Sequence, residues 1–219
     1  TAAAQVQPRE FLVSLRAEHV SYAGSAALEA SGAAGLETMY FVSPRLAVGF
    51  QVGVARPWTK GEYFPLMRHT YWTPNSANDT TLLYTVSQQV TVFDYGIQGE
   101  YRFTFDRWEP FVQLGLGRYT IFVDPQSQPQ SNRERRTFSG PGYAFGGGLG
   151  FAVTEGARIM VAVSDRIYAS FDRERLSLSD RLLREDRFPN PDPPPPPAED
   201  RVHNLRFSAG FSFAPGRVR

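Results

Sequence analysis

The sequence predicts an all-β fold, an up-and-down barrel of eight antiparallel strands that forms one domain over residues 1–219. Two observations lead to this prediction. First, eight segments alternate bulky apolar residues with small or polar ones, and a period of two is the period of a β-strand. Second, the connections between the segments alternate long and short, so that all short turns fall at one rim of the barrel and all long loops at the other.

The first three strands are predicted at about residues 10–22, 33–42 and 46–56. The second is the least regular, because Met39 and Phe41 add bulk to the face that carries Glu37. Ser43–Arg45 predicts a tight turn into the third strand, since its proline fixes φ. The apolar faces consist of Phe11, Val13, Leu15 and Ala17 in the first strand, Leu36, Thr38, Tyr40 and Val42 in the second, and Leu46, Val48, Phe50, Val52 and Val54 in the third.

The fourth and fifth strands are predicted at about residues 88–104 and 110–123, with a turn at Phe105–Trp108 between them. A long polar and aromatic loop over residues 57–87 precedes them, and a second long loop over residues 124–141 follows. Their apolar faces consist of Phe93, Tyr95, Ile97, Tyr101 and Phe103 in the fourth strand and Val112, Leu114 and Leu116 in the fifth.

The last three strands are predicted at about residues 142–153, 158–168 and 203–213. Thr154–Gly156 makes a short turn, and residues 169–202 form the longest loop. In that loop the charged stretch Asp172–Arg187 is expected to form a short helix, and the run Pro193–Pro197 favours polyproline II. The apolar faces consist of Tyr143, Phe145, Gly147, Leu149 and Phe151, then Ile159, Val161 and Val163, then Leu205, Phe207, Ala209, Phe211 and Phe213.

The last strand ends in aromatic residues two positions apart, a pattern typical of bacterial outer-membrane β-barrels. The sequence resembles the small eight-stranded family whose best-known type is the OmpA membrane domain, without the peptidoglycan-binding domain and its tethering role. The resemblance implies a bacterial outer-membrane location, short periplasmic turns, long extracellular loops and periplasmic termini. It also implies a terminal-strand assembly signal formed by Phe207, Gly210, Phe211 and Phe213.

The composition of the two strand faces predicts which one meets lipid. The polar faces consist mainly of Gly and Ala with a few charges, whereas the exterior of a soluble barrel of the lipocalin type would carry many charged residues. The apolar faces hold more volume than the interior of eight strands accepts. Aromatic residues are predicted to form two girdles at the membrane interfaces: Phe11, Tyr40, Phe103, Phe105, Trp108, Phe111, Phe151 and Phe213 near the short turns, and Tyr22, Trp58, Tyr119, Phe122, Tyr143 and Tyr168 near the long loops.

Composition also limits the function classes. The chain has 23 basic and 22 acidic residues, so no global field favours nucleic acid as a partner. It has no cysteine, which excludes a disulfide framework. Small residues at Thr1–Gln5 suit a cleaved signal peptide, so we expect the numbering to begin near a mature terminus.

The inward faces are predicted to carry charges of both signs, spaced by glycine and alanine. Because an eight-stranded lumen is just wide enough to be filled by side chains, we expect a packed and compensated ion-pair network that closes it. A narrow pore is the alternative. The predicted lumen residues are Arg16, Glu18, Glu37, Asp94, Glu100, Arg102, Arg158, Arg166 and Arg206.

Catalysis has little support in the sequence. His19 and Ser21 lie two apart on one strand face, as in some outer-membrane lipid A deacylases, but in phase with the lipid-facing set and without a nameable third partner. His69 lies in a loop and His203 opens the last strand. Neither a metal cluster nor a glycine-rich phosphate loop is present, so we predict no catalytic residues, no metal and no cofactor.

The long loops are the remaining candidates for function. Arg133, Arg135 and Arg136 crowd one loop, and a guanidinium matches phosphate with two donors, so lipopolysaccharide is an expected contact. Loops 57–87 and 169–202 are candidate surfaces for another envelope or surface protein. The first of these holds a set of aromatics that would form a rigid cap or a binding surface: Trp58, Tyr63, Phe64, Tyr71, Trp72 and Tyr84.

Three functions therefore remain open on the sequence alone. The first is a non-enzymatic barrel with a structural or surface-interaction role through its long loops. The second is a small channel for solutes or small apolar molecules. The third is a lipid-modifying enzyme.

Overall fold

The computed structural model describes residues 9–64, 66–71, 80–84, 87–123, 136–176, 187–188, 197 and 199–215. Within these ranges eight antiparallel strands close into a barrel, which confirms the predicted fold class. None of the helices in the described part of the chain is long and apolar enough to cross a membrane.

The barrel strands run up and down around the wall, and each pairs with its neighbour along the chain. The circle closes where the first strand of the chain pairs with the last, with Val13 opposite Phe213 and Tyr22 opposite Asn204. The barrel strands are β1 (Phe11–Tyr22), β2 (Ser31–Phe41), β3 (Leu46–Ala55), β6 (Val90–Arg102), β7 (Trp108–Val123), β8 (Arg136–Thr154), β9 (Ala157–Ala169) and β11 (Arg201–Phe213).

A second, three-stranded sheet replaces part of what the sequence predicts as loop. Strands β4 (Leu66–Tyr71) and β5 (Thr80–Tyr84) form a hairpin, and β10 (Arg187–Phe188) pairs with β4. Backbone hydrogen bonds therefore join the two long loops that were predicted as separate surfaces. The predicted helix in the longest loop is a single 3-10 turn at Arg173–Leu176, while residues 177–186 and most of the proline run lie outside the described residues.

Strand β8 begins six residues earlier than predicted, at Arg136 instead of Gly142. The sequence prediction placed residues 124–141 in a loop because they are rich in Gln, Ser, Asn and Arg. Proline also lacks the N–H that a central strand donates. In the structure the ladder between β8 and β9 ends at Gly142, while the ladder with β7 continues through Pro141 to Arg136. The proline therefore lies where one side of β8 has no partner strand, and the extra residues lengthen one hairpin beyond its neighbours.

The outward face of the barrel is apolar, as the alternation predicts. Leu114 is 71% exposed, and Phe50, Phe145, Val161 and Phe207 are about half exposed. Val52, predicted with them, is half-buried. The exposed side chains form a continuous apolar wall around the eight strands.

The polarity of the two faces reverses along each of several strands. On β7 the residues up to Leu116 are apolar outside, but beyond Arg118 the apolar residues Tyr119, Ile121 and Val123 point inward and are buried. On β1 the same change occurs where the inward charges give way to Val20. The barrel thus has an apolar exterior near the short turns and an apolar core near the long loops.

This reversal corrects part of the predicted aromatic girdles. Phe111, Tyr22, Tyr119 and Tyr168 are buried inside the barrel, at 7% exposure or less, because each is in phase with the inward face of its strand. The predicted girdles group aromatic residues only by their height along the barrel and take no account of this phase. Exposed members of the predicted girdles are Phe11, Tyr40, Phe103, Phe105 and Trp108 near the short turns and Trp58 and Tyr143 near the long loops.

Some inward glycines mark close backbone contacts in the wall. A Cβ at Gly49 would collide with the carbonyl of Thr38, and one at Gly146 would lie 2.5 Å from the carbonyl oxygen of Val163. Any larger residue at either glycine would therefore destabilise the barrel, whichever face meets lipid. The lipid-facing side is better tested by arginine substitutions at different depths along one outward face.

We predict that Leu114→Arg, midway between the short turn and the polarity reversal on β7, lowers the free energy of unfolding in lipid vesicles by about 2–4 kcal/mol. Thr120→Arg, on the same face beyond the reversal, should cost only about 0–1 kcal/mol. Urea titration of the two variants after folding into vesicles measures the difference. Equal penalties would show that the apolar band does not end at Arg118.

Candidate functional site

The interior half-way up the barrel holds a group of four charged residues centred on Arg206. Its Nη1 donates to Glu18 Oε2 at 2.8 Å, and its Nη2 donates to Asp94 Oδ2 at 2.6 Å and to the Tyr168 hydroxyl at 3.0 Å. Arg166 pairs with Asp94 and donates to Gln51 Oε1 at 2.7 Å. We call Glu18, Asp94, Arg166 and Arg206 the upper group.

A second group, the lower group, lies near the short turns and consists of Glu100, Arg102, Glu109 and Arg158. Arg102 donates to Glu100 Oε1 through Nε at 2.8 Å and Nη2 at 2.5 Å, and to Glu109 Oε2 through Nη1 at 2.7 Å. Arg158 Nε donates to the same Glu109 oxygen at 2.9 Å. The Arg102 guanidinium also lies 5.1 Å from the ring centre of Phe41, a cation–π contact.

Between the two groups, Arg16 Nη2 and Glu37 Oε2 form an ion pair at 2.5 Å. All nine predicted lumen residues thus lie inside the barrel, each less than 9% exposed. Direct ion pairs join them in three clusters, which are the upper group, the lower group and the Arg16–Glu37 pair. Sequence reasoning missed Glu109, because the predicted turn ended next to it, although its phase with Gln113 on β7 marks it as inward.

The three groups balance five arginines against five carboxylates. Each ion is nearly completely desolvated, and a desolvated ion without a counter-charge would cost several kcal/mol. Beside the upper group the structure has a cavity of about 20 Å³ against Gln51, Asp94, Arg166 and Tyr168. A cavity of this size holds about one water molecule.

Above the charged groups, the long-loop end of the barrel is filled by apolar side chains. Tyr119 and Tyr168 stack with ring centres 4.3 Å apart, and the Tyr119 hydroxyl donates to the carbonyl oxygens of Ala169 and Ser170. The first loop folds in with a 3-10 turn at Gly24–Ala26, and Leu28 is buried below it. The cluster, here called the apolar cap, consists of Val20, Tyr22, Ala26, Ala27, Leu28, Ala55, Phe64, Val90, Val92, Tyr119, Ile121, Val123, Phe138, Tyr168, Phe171, Leu176 and Val202.

The predicted aromatic loop contributes to this cap in part. Phe64 is buried in it, and Tyr63 packs against it while Lys60 and Arg173 lie 5.7 and 5.6 Å from its ring centre. Trp58 remains 46% exposed. The side chains of Tyr71, Trp72 and Tyr84 lie outside the described residues.

The residues considered for catalysis are not assembled into a site. His19 and Ser21 point outward from β1, and within the described part of the chain neither makes a side-chain hydrogen bond. His203 Nδ1 instead lies 2.6 Å from Asp165 Oδ2, on the far side of β11 from β1. His69 is described only in its backbone. Among the described residues no three His, Cys, Asp or Glu side chains are placed to hold a metal ion.

The other predicted site residues are placed as follows. Phe207 and Phe211 of the assembly signal are exposed outside the barrel, Phe213 is half-buried, and Gly210 faces inward. Arg133 and Arg135 lie outside the described residues. Arg136 is the first residue of β8, paired with Val123, and is thus part of a strand where the sequence analysis predicted a loop.

A closed antiparallel barrel with an apolar exterior and paired charges inside is the architecture of an integral β-barrel membrane protein. The chain belongs to the family "Outer membrane protein beta-barrel domain", whose model matches residues 1–213. Its location is therefore the bacterial outer membrane, as the resemblance implied.

Solved structures show the same fold at low sequence identity. Neisserial surface protein A is 13% identical, with 93% of this chain and 96% of that chain covered and a TM-score of 0.58. The outer membrane protein OprG from Pseudomonas aeruginosa is 12% identical, with 96% and 98% covered and a TM-score of 0.51. No curated protein matches the sequence.

We predict that Arg16→Met lowers the free energy of unfolding by about 3–5 kcal/mol, because it leaves the Glu37 carboxylate buried without a counter-charge. Combining it with Glu37→Met should restore much of that loss. Urea unfolding in vesicles measures all three free energies of unfolding. Arg175→Met, which breaks an exposed pair with Asp172, is the control and should cost about 1 kcal/mol or less. Additive effects of the Arg16 and Glu37 substitutions would contradict a tightly coupled interior pair.

Proposed function

We propose that this protein is a non-enzymatic, non-conducting outer-membrane barrel that works through its outer surface and long loops. The observation that carries the proposal is the filled interior, in which three charge-balanced groups and an apolar cap follow one another along the barrel axis. A barrel closed in this way leaves its exterior and its loops as the surfaces available to other molecules.

The proposed orientation has the short turns and both chain ends in the periplasm and the long loops outside the cell. Short turns on one rim and long loops on the other support it, because that is the arrangement of outer-membrane barrels. The apolar cap also supports it. A rim that extends beyond the membrane meets water on its outside and therefore needs an apolar core of its own.

The channel for solutes or small apolar molecules is the second candidate, and the filled interior argues against it. The upper group spans the lumen, since its members come from β1, β6, β9 and β11. Passage would require these ion pairs to separate within a desolvated interior. The enzymatic candidate has less support still, because His19 and Ser21 have no partner among the described residues that would make them reactive.

We predict that the folded protein, reconstituted into planar bilayers, gives no discrete conductance steps. Arg206→Gln serves as the comparison, because it removes the residue that holds Glu18 and Asp94 together. Steps in the wild-type protein whose size or ion selectivity changes in the Arg206 variant would establish a path through the lumen. That result would replace the proposal by the channel.

For the loops, we propose contact with the phosphates of lipopolysaccharide through Arg133, Arg135 and Arg136, and contact with another envelope or surface protein through residues 57–87 and 169–202. Three arginines within four residues of the sequence support the first contact, since a guanidinium can bind phosphate with two donors. The pairing of β4 with β10 supports the second, because it makes the two loops one surface.

We predict that replacing Arg133, Arg135 and Arg136 together by Gln weakens binding of phosphorylated lipid A to the protein in mild detergent and leaves barrel folding unchanged. The expected loss shrinks as salt is raised, because exposed charges are screened. Surface-immobilised protein and lipid A at two salt concentrations give the comparison. Unchanged binding at both would remove the phosphate contact from the proposal.

A further inference from the structure

The outward face of the barrel contains a groove in addition to its convex wall. It extends from Phe11 at the short-turn end of β1 across β2, β3, β6, β7 and β8, and has a volume of about 890 Å³, in the range of about 300–1,000 Å³ that small-molecule sites occupy. Its lining is almost entirely apolar. Among the lining residues are Phe50, Ile97, Gly99, Leu114, Leu116 and Tyr143.

Gly99 explains why the wall is hollow at this place. It occupies an outward position on β6, between Val48 of β3 and Leu114 of β7, and every other outward residue of β6 has a side chain. A Cβ built on Gly99 would have no neighbour closer than the Ala47 carbonyl oxygen at 3.9 Å. The missing side chain at Gly99 leaves the groove open. No close backbone contact requires a glycine at this position.

A cation lies at the outer end of the groove. Leu116 and Tyr143 face each other across β7 and β8 and line that end, and Arg118 follows Leu116 on the same face of β7. Arg118 is exposed, and its Nη2 donates to Ser139 Oγ at 3.0 Å. Within the described part of the chain no carboxylate pairs with it. Arg118 also marks the height at which the exterior of β7 ceases to be apolar.

We propose that this groove and Arg118 form a binding site for one lipid A molecule of the outer leaflet. An acyl chain occupies the groove, and the guanidinium of Arg118, held by Ser139, binds a phosphate of the headgroup. The proposal rests on the orientation given under the proposed function, because only then does Arg118 face the outer leaflet. It differs from the loop contact, since the site lies in the barrel wall.

The two parts of the site make different demands on the ligand, and together they select one class of molecule. The groove accepts only hydrocarbon, since polar groups placed there would lose their water without gaining partners. Arg118 accepts an anion and retains unused N–H donors in its planar fork. A free phosphate ion would meet Arg118 but not the groove. A phosphorylated lipid meets both.

The test uses the full chain folded in mild detergent and two probes, lipid A and the same lipid A without its phosphates. Gly99→Leu fills the groove, with Ala209→Leu on the outward face of β11 as its control. Arg118→Gln removes the cation, with the exposed Arg201→Gln on β11 as its control. Native mass spectrometry counts bound lipids, and titration gives the dissociation constants.

We expect Gly99→Leu to weaken binding of both lipids. Arg118→Gln should weaken binding of the phosphorylated lipid by about tenfold, the effect of one lost charged hydrogen bond, and leave the dephosphorylated lipid unaffected. Inorganic phosphate should not displace the lipid. Arg118→Gln tests the headgroup contact even if Gly99→Leu fails to fold, because its side chain is exposed.

Three results would overturn the proposal. Equal losses in the β11 controls would show a non-specific lipid shell, and displacement by inorganic phosphate would show a simple anion site. A wild-type dimer that Gly99→Leu converts to monomer would show that a second copy of the chain fills the groove. None of these results bears on conductance or on the loop arginines, so a failure of this proposal can be distinguished from a failure of the proposed function.

Discussion

The closure of the barrel between β1 and β11 is the constraint on which the rest of the structure depends. In hydrocarbon no water is available for backbone N–H and C=O groups, so a sheet that spans a membrane cannot have a free edge. The ladder from Val13–Phe213 to Tyr22–Asn204 removes that edge. Once the sheet is closed, every strand has one face in lipid and one in a narrow interior. The alternation of the sequence then determines what each face contains.

The interior chemistry follows from that narrowness. An arginine in a closed lumen has neither bulk water nor lipid phosphate within reach, and only another side chain can balance its charge. The carboxylates are therefore distributed with the arginines, and each of the three groups is neutral by itself. Glu109 shows how local this requirement is: it accepts from both Arg102 and Arg158, so the lower group is balanced only when a residue next to the turn is counted.

Alternation and loop length were sufficient to predict the fold, the eight barrel strands and nine of the charged residues that face inward. What they missed depends on contacts between strands. The polar composition of residues 124–141 predicted a loop up to Pro141, yet β8 begins at Arg136, because it pairs with β7 there while only its β9 side lacks a partner. The short strands β4, β5 and β10 lack the length that makes a period of two recognisable. Separation of the charges into three groups depends on which side chains reach one another, and spacing along the chain carries no such information.

The reversal of polarity along β1 and β7 links the fold to the outer surface. A strand that keeps its lipid-facing pattern beyond the bilayer would expose apolar residues to water. The chain instead turns those residues inward, where Tyr119, Ile121 and Val20 meet the first loop. Several outward positions at this height are polar, among them Arg118, His19 and His203. The change that gives the long-loop rim its core thus also places polar and cationic groups at the edge of the apolar wall.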